Sequence, residues 1–268
     1  MKLAVNYSSE AMGLRESGQL PIDYLKCALF KDWITEAKKS GPIYVHFPFG
    51  VSPHGVTNFD HPETDWPWVF EVLNETDSIY LNLHIKIREN EYLDASRDAV
   101  LEECKKCVNE LAMHVPMDRV IIENTVARAK DAPIVKTSTL GGFFTDLIKE
   151  TGCGLLLDTA HLRISCLELG LDFREEVLKF PLHELNEWHI CGVGLNPGGD
   201  VLFDSMPMTE EDWQATAFVV AAIREGIARE PYMVAIEYGG IGDKFDWRSD
   251  PMEIFQSCRT VKHMLDLI

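Results

Sequence analysis

The feature that most constrains this chain is a series of short apolar runs, alternating with helical stretches, that end in side chains able to bind a metal or move a proton. The clearest is Gly154-Leu-Leu-Leu-Asp158-Thr-Ala-His161. An apolar run bounded by glycine suits a strand covered on both faces, and the carboxyl ends of such strands are where α/β folds place their chemistry. Taken alone, Asp158 reads equally well as the N-cap of the next helix, and His161 as a surface residue. Recurrence of the pattern along the chain decides between these readings.

Strands are predicted at 3–7, 21–27, 43–47, 79–87, 119–125, 154–158, 185–192 and 232–240. Helical periodicity lies between them: 30–39, 66–73, 95–115, 139–150, and 162–179 broken around Gly170. Thr209 caps a further helix whose first turn is acidic, and Asp250-Pro251 starts the last, at 251–268. Strand and helix in strict alternation is the order of a (β/α)8 TIM barrel, a fold of about 250 residues. Residues 1–268 are therefore read as a single TIM-barrel domain, with a short irregular first crossover after the first strand.

With 25 Lys+Arg against 43 Asp+Glu, the net charge of -18 repels phosphate backbones, and no basic groove offsets it. This argues against a nucleic-acid partner and leaves a small-molecule or peptide substrate. The first six residues lack the apolar core of a signal peptide, and no segment approaches the roughly 18 apolar residues of a membrane helix. A cytoplasmic protein without a membrane partner is expected. Seven cysteines, an odd number scattered through strands and helices, read as reduced thiols. Cys104 and Cys107 fall on the apolar face of the 95–115 helix, which makes them packing residues before a redox or zinc pair.

Six strands end in His46, His84, Glu123, Asp158, His189 and Glu237. A parallel barrel brings all six to one mouth, where three imidazoles and three carboxylates would be costly unless cations resolve their charge. Mixed histidine and carboxylate ligation suits iron, zinc or manganese ahead of calcium or magnesium. The loop after the third strand adds His54 and His61, and the loop after the seventh adds Asp200 and Asp204. Asn82 and Lys86 share the face of His84 by period-two alternation. Phe47, Phe49, Trp66, Trp68 and Trp247 fall near the mouth, as a stacking wall or as plain packing. Gly192-Val-Gly-Leu-Asn-Pro-Gly-Gly199 lacks the lysine and Ser/Thr of a phosphate-binding loop.

At these residues the chain resembles the xylose-isomerase-like barrel superfamily, from about residue 43 to the C-terminus. Ile122-Glu123-Asn-Thr125 and Leu157-Asp158-Thr-Ala-His161 are similar to segments of the endonuclease IV metal site. That likeness implies metal roles for His46, His84, Glu123, Asp158, His161, His189 and Glu237. Where that family carries an Asp-x-His pair after strand seven, this chain offers Asp204 or Asp200, so a third metal is left open. Ser165–Asp172, Phe180-Pro-Leu182 and Leu185–Gly192 resemble the multinuclear non-heme iron-dependent oxidative enzymes. Those read Asp-Val-Asn-Asn where Asp158-Thr-Ala-His161 stands here, and His-Leu-Ala-Gly-His in place of His189-Ile-Cys-Gly-Val193. A third similarity, to sugar epimerases and isomerases, implies one metal on Glu123, Asp158, His189 and Glu237, with the two glutamates as acid and base and His161 holding substrate.

That single-metal set leaves His46 and His84 spare, and their presence favours the multinuclear resemblances, with two metal ions per chain. One is held by His46, His84 and Glu123, and the other by Glu123, Asp158, His189 and Glu237, with Glu123 bridging. His161 and Asp204 are then groups beside the metals, substrate contacts or a partial third site. Oxidation of a peptide or small molecule leads, ahead of a single-metal isomerase or epimerase, a hydrolase, and a non-catalytic metal-binding barrel.

Overall fold

The computed structural model describes every residue except 61–62, 93–94, 197 and 243–245. Its strands are β1 (Lys2–Asn6), β2 (Tyr24–Ala28), β3 (Ile43–His46), β4 (Phe49–Ser52), β5 (Gly55–Asn58), β6 (Leu81–Ile85), β7 (Val120–Asn124), β8 (Gly154–Asp158), β9 (Leu185–Ile190), β10 (Gly192–Leu195), β11 (Leu202–Met206) and β12 (Met233–Ile236). Parallel pairing runs β3-β2-β1-β12-β9-β8-β7-β6-β4, which curls the sheet into a (β/α)8 barrel. β5 only extends β4 as an antiparallel hairpin.

Closure of the ring is unusual in its means. β3 ladders onto β2, and after Phe47-Pro48 the same chain resumes as β4 and ladders onto β6. No backbone pairing joins β3 to β6 among the described residues. Side chains bridge that seam. The Asn82 carboxamide accepts from Phe47 N at 2.6 Å and donates to Phe47 O at 2.8 Å, and Ser78 Oγ accepts from Val45 N at 2.6 Å. Proline has no N–H to offer a ladder, and the asparagine supplies amide geometry beside it.

Ten α-helices surround the ring: α1 (Ser9–Glu16), α2 (Lys31–Ala37), α3 (Trp66–Glu75), α4 (Arg97–Ala112), α5 (Pro133–Ser138), α6 (Gly141–Thr151), α7 (Thr159–Leu169), α8 (Phe173–Val177), α9 (Glu210–Arg224) and α10 (Pro251–Leu265) among the described residues. The first crossover, expected to be irregular, is short but carries α1, capped by Ser8 Oγ accepting from Ala11 N at 3.0 Å. Its two glycines and scattered charges hid a helix held mostly by that cap. The break at Gly170 separates α7 from α8 and uses the left-handed backbone (φ 67°) that glycine tolerates. Thr209 and Asp212 form a reciprocal capping box at α9.

The large core lies between ring and helices, and a smaller cluster of Ala4, Tyr24, Tyr44, Met233 and Ala235 plugs the bottom of the lumen. Phe47 and Phe49, placed near the mouth by sequence, are fully buried and stack at 5.7 Å, outside the lumen. Trp66 likewise stacks on His114 at 3.9 Å. All seven cysteines are buried, unpaired thiols, Cys104 and Cys107 on the inner face of α4. No helix among the described residues is long and apolar enough to cross a membrane.

Candidate metal centre

Each candidate ligand follows from strand alternation, which turns every second side chain into the lumen. His46 ends β3, His84 lies in β6, Glu123 in β7, Asp158 ends β8, His189 lies in β9, and Glu237 follows β12. The structure brings all six together. His46 Nε2 and His84 Nε2 lie 3.1 Å apart, and 3.3 and 3.1 Å from Glu123 Oε2. Across the lumen, His189 Nδ1 lies 3.1 Å from Glu237 Oε1, 3.8 Å from Glu123 Oε1 and 3.9 Å from Asp158 Oδ2. His161 Nδ1 lies 3.5 Å from Asp158 Oδ2 and 3.7 Å from Glu123 Oε1, with its Nε2 3.6 Å from Asp204 Oδ2. Groups able to hold a cation include His46/His84/Glu123, Asp158/His189/Glu237 and Glu123/Asp158/His161. Glu123 offers one carboxylate oxygen to each side.

The hydrogen bonds behind the imidazoles set which nitrogen faces the lumen. His84 Nδ1 lies 2.7 Å from the carbonyl of Phe49, an acceptor, so Nδ1 carries the proton and Nε2 presents its lone pair. His189 is turned the other way. Its Nε2–H donates to Glu187 Oε1 at 2.7 Å, leaving Nδ1 bare toward Glu237. Glu187 Oε1 also accepts from the Tyr44 hydroxyl at 2.9 Å, so a buried Tyr44–Glu187–His189 ladder rises from the plugged floor to the site. Asn82 Nδ2 faces His46 Nε2 at 3.1 Å. His84 and His189 are thus held as metal-ligating histidines commonly are, with one nitrogen bonded to a protein acceptor and the other left bare, whereas Asn82 donates to the very nitrogen of His46 that faces the cluster.

Asp158 resolves the ambiguity left by its sequence by doing both jobs. Oδ1 accepts from His161 N at 2.7 Å and caps α7, while Oδ2 points into the site. Asn124 clamps it from β7, donating to Asp158 O and accepting from Asp158 N, both at 2.8 Å. The Glu-Asn-Thr run is thus a candidate ligand, a clamp on one neighbour and, through Thr125 Oγ1 to Ile85 O at 2.8 Å, a tie to the other.

Electrostatics divide the cluster. Burial, aided by Lys26, pushes the His46 imidazole down to about 3, and holds His189 well below its ordinary value. Burial opposes the charge of Glu123 too, but His84 and His46 outweigh it and keep the carboxyl well below the usual range. Burial raises Asp158 to about 6. His161 resists burial because Asp158, Asp204 and Glu123 surround it, and it rises to about 10, while Asp204 beside it falls to about 2 against its own burial. Ser205, at φ 55°, supports the turn that presents Asp204, its N–H donating to Cys191 Sγ at 3.1 Å.

Other residues singled out by sequence stand elsewhere. Asp200 is exposed at the tip of the β10–β11 hairpin, which replaces the expected loop. His54 is exposed at the turn between β4 and β5, and His61 lies outside the described residues. Lys86 is exposed over the Phe59 ring at 5.4 Å and does not enter the site. Its strand ends at Ile85, so the alternation that relates it to His84 no longer holds. Trp68 packs under Lys31, and Trp247 is exposed.

Sequence reasoning missed Lys26, Tyr44 and Glu187. Lys26 is 6% exposed and pairs with Glu237 across the lumen. A signal was present: Tyr44, Asn82 and Glu187 each stand two residues before a histidine ligand, hence on the same face one layer deeper. Beside the cluster, a cavity of about 200 Å³ is lined by Asn6, Tyr7, Lys26, Trp33, His46 and Glu237 among others, and gives access to the ligands from the β1–β2 side.

Comparison with known proteins fits this geometry. A family model described as RiPP precursor modification enzyme MbnB/TglH/ChrH matches residues 95–228, half of the chain and the part that carries Glu123, Asp158, His161, His189 and Asp204. UPF0276 proteins of Bordetella pertussis and Caulobacter vibrioides are each 33% identical over 84 residues, 30% of this chain. That stretch is 29% and 30% of those relatives' own lengths, so the shared part is under a third of each. Among solved structures, a D-psicose 3-epimerase from Clostridium cellulolyticum H10 is 15% identical with a TM-score of 0.56, covering 100% of this chain and 98% of that one. A xylose isomerase domain protein from Alicyclobacillus acidocaldarius is 12% identical with a TM-score of 0.61, covering 100% and 99%. At these identities the structural likeness shows the fold alone.

Proposed function

The chain belongs to the family of RiPP precursor modification enzymes MbnB/TglH/ChrH, and from that premise we propose that it is a metal-dependent enzyme that modifies a peptide by oxidative chemistry at two metal ions, iron first among iron, zinc and manganese. One observation carries the metal part. Glu123 Oε2, Asp158 Oδ2 and His189 Nδ1 are buried and make no hydrogen bond, the first beside His46 and His84 and the other two across the lumen beside each other. Buried polar atoms without partners are rare and costly, and a cation on each side of Glu123 would satisfy these acceptors.

His46, His84 and Glu123 would hold one ion, and Glu123, Asp158, His189 and Glu237 the other. Bound there, the ions would supply Lewis acidity and, as iron, one-electron redox chemistry. The protein's own part is to hold Glu123 between the two poles and to fix His84 and His189 in their ligating tautomers. The His161 imidazolium presents its Nε2–H toward Asp204, where it would donate to an anionic or carbonyl oxygen of the substrate. The cavity on the β1–β2 side admits a side chain or chain end and not a folded domain, which suits a peptide or small molecule. The single-metal epimerase reading leaves His46 and His84 without work, although both converge on Glu123.

The test is elemental analysis of protein purified without chelator or added metal. Two ions per chain are expected, falling by about one in His46→Ala/His84→Ala, together with an oxygen-dependent mass change in a candidate precursor peptide when the metal is iron. One ion, untouched by the double substitution, would overturn the two-metal reading and favour the epimerase. Zinc or manganese without redox turnover would move the chemistry to hydrolysis.

A further inference from the structure

Lys26 has no counterpart in the ligand set, yet it reaches the same space. It lies in β2 between Tyr24, which plugs the lumen floor, and Ala28, and register places it level with Asn6 of β1 and Tyr44 of β3. Alternation turns Leu25 and Cys27 out into the core, and turns Lys26 in. The amine ends in contact with Glu237 Oε1, the same oxygen that stands 3.1 Å from His189 Nδ1. A lysine is rarely this deeply buried without a reason. Burial works against its charge and lowers its pKa, while Glu123, Glu187 and Asp158 oppose that shift, and the contact with Glu237 gives the amine a partner.

The two poles are therefore unequal. Glu123 forms no ion pair with a lysine or arginine among the described residues, although the charge of Lys26 reaches both it and His46. The Asp158/His189/Glu237 pole has one of its three ligands already engaged by a cation that belongs to the protein. Two cations a few ångströms apart in a site of low dielectric repel each other, and one carboxylate oxygen cannot serve both at full strength.

We propose that Lys26 is a built-in competitor for the second metal ion: it holds Glu237 in the metal-free protein, weakens the Asp158/His189/Glu237 pole, and makes the two poles load in order, His46/His84/Glu123 first. The inference rests on the two-metal reading above. It assigns to Lys26 a positioning role, acting through Glu237 and not on a substrate. It also gives the protein a state with one ion bound and the second pole closed by a salt bridge.

The experiment is a titration of the chelator-stripped protein with Co²⁺, followed by calorimetry and by the visible absorption of the bound ion. Wild type should bind in two resolved steps, and His84→Ala should lose the tighter. In Lys26→Met the weaker step should tighten by about tenfold or more, the effect expected on removing one close positive charge, with the tighter step changed by less than about threefold. Lys26→Gln, neutral but polar, should behave like Lys26→Met if the apolar side chain impairs folding, and Lys26→Arg, which keeps the cation, should stay near wild type. Two steps unchanged in both neutral variants, or a second step weaker than in wild type, overturn the role of Lys26 and leave the two-metal reading standing. No Co²⁺ bound by wild type or any variant removes both.

Discussion

His189 and His161 stand at the carboxyl side of neighbouring strands, within 4 Å of the same Asp158 oxygen, yet their surroundings shift the two imidazoles in opposite directions. His189 is sealed from solvent, donates its one proton to Glu187, and is held neutral with a bare nitrogen toward Glu237. His161 is partly open at the mouth, donates Nδ1–H to the carbonyl of Asn124 at 2.8 Å, and keeps a second proton because Asp158 and Asp204 flank it. Burial disfavours charge on both. The difference lies in what the neighbouring carboxylates are aimed at. In the two-metal reading, a nitrogen left bare behind a proton acceptor would serve as a ligand, and one that faces two carboxylates at the rim as a charged donor.

The comparison breaks most severely at Glu187. Replacing it in Glu187→Gln removes the anion that fixes the His189 tautomer, and a loss of roughly 10- to 100-fold in metal affinity is expected, with little change in circular dichroism. Affinity measured by chelator competition and unchanged from wild type would show that His189 needs no such support. A smaller effect is expected at Asp204. Asp204→Asn should leave the number of ions per chain as it is, because Asp204 faces His161 and not the bare nitrogens, while weakening capture of substrate through the lowered charge of His161. Loss of one ion in that variant would instead place Asp204 among the ligands.

The smallest effect is the sharpest. In chelated protein the His161 value of about 10 lies above that of an unfolded histidine, so its stabilisation is full below about pH 6.5 and fades as pH rises toward 10. His46, at about 3, runs the other way: it is neutral when folded and protonated when unfolded, so its contribution fades as pH falls from about 6.5 toward 3. Proton-detected titration of the imidazoles between pH 5 and 8 should show neither ring changing state. A His161 ring that titrates near 6.5 would erase the contrast.

How much of this was legible beforehand follows from the periodicities. Strand ends announce themselves, because a polar side chain closing an apolar run stands out, and all six such residues meet at one place. The layer below them is equally periodic but was hidden by its company. Lys26 sits alone in Tyr-Leu-Lys-Cys-Ala, where a single charge reads as the solvent side of a strand, and Glu187 sits in Leu-Asn-Glu-Trp-His, where polar Asn186 beside it makes an inward turn look like an edge. The hairpins after β3 and β9 read as loops since glycine and proline mark breaks without saying what pairs across them. Gly192 is required there by close approach, as a Cβ would lie 2.0 Å from Pro207 O. The exposure of Lys86 shows the limit of alternation: it cannot be carried past the residue where the ladder stops.

The seam between β3 and β6 gives the cluster a mechanical meaning. Elsewhere the ring is knitted by main-chain ladders, but here one carboxamide, one hydroxyl and a single main-chain bond from Asp77 N to Ile43 O at 3.1 Å do the fastening. His46 stands on one lip of this seam and His84 on the other, 3.1 Å apart at their tips. An ion gripped by both would therefore also tie β3 to β6 beside the point where the ladder passes from β3 to β4, and would couple the barrel's girth to its cargo.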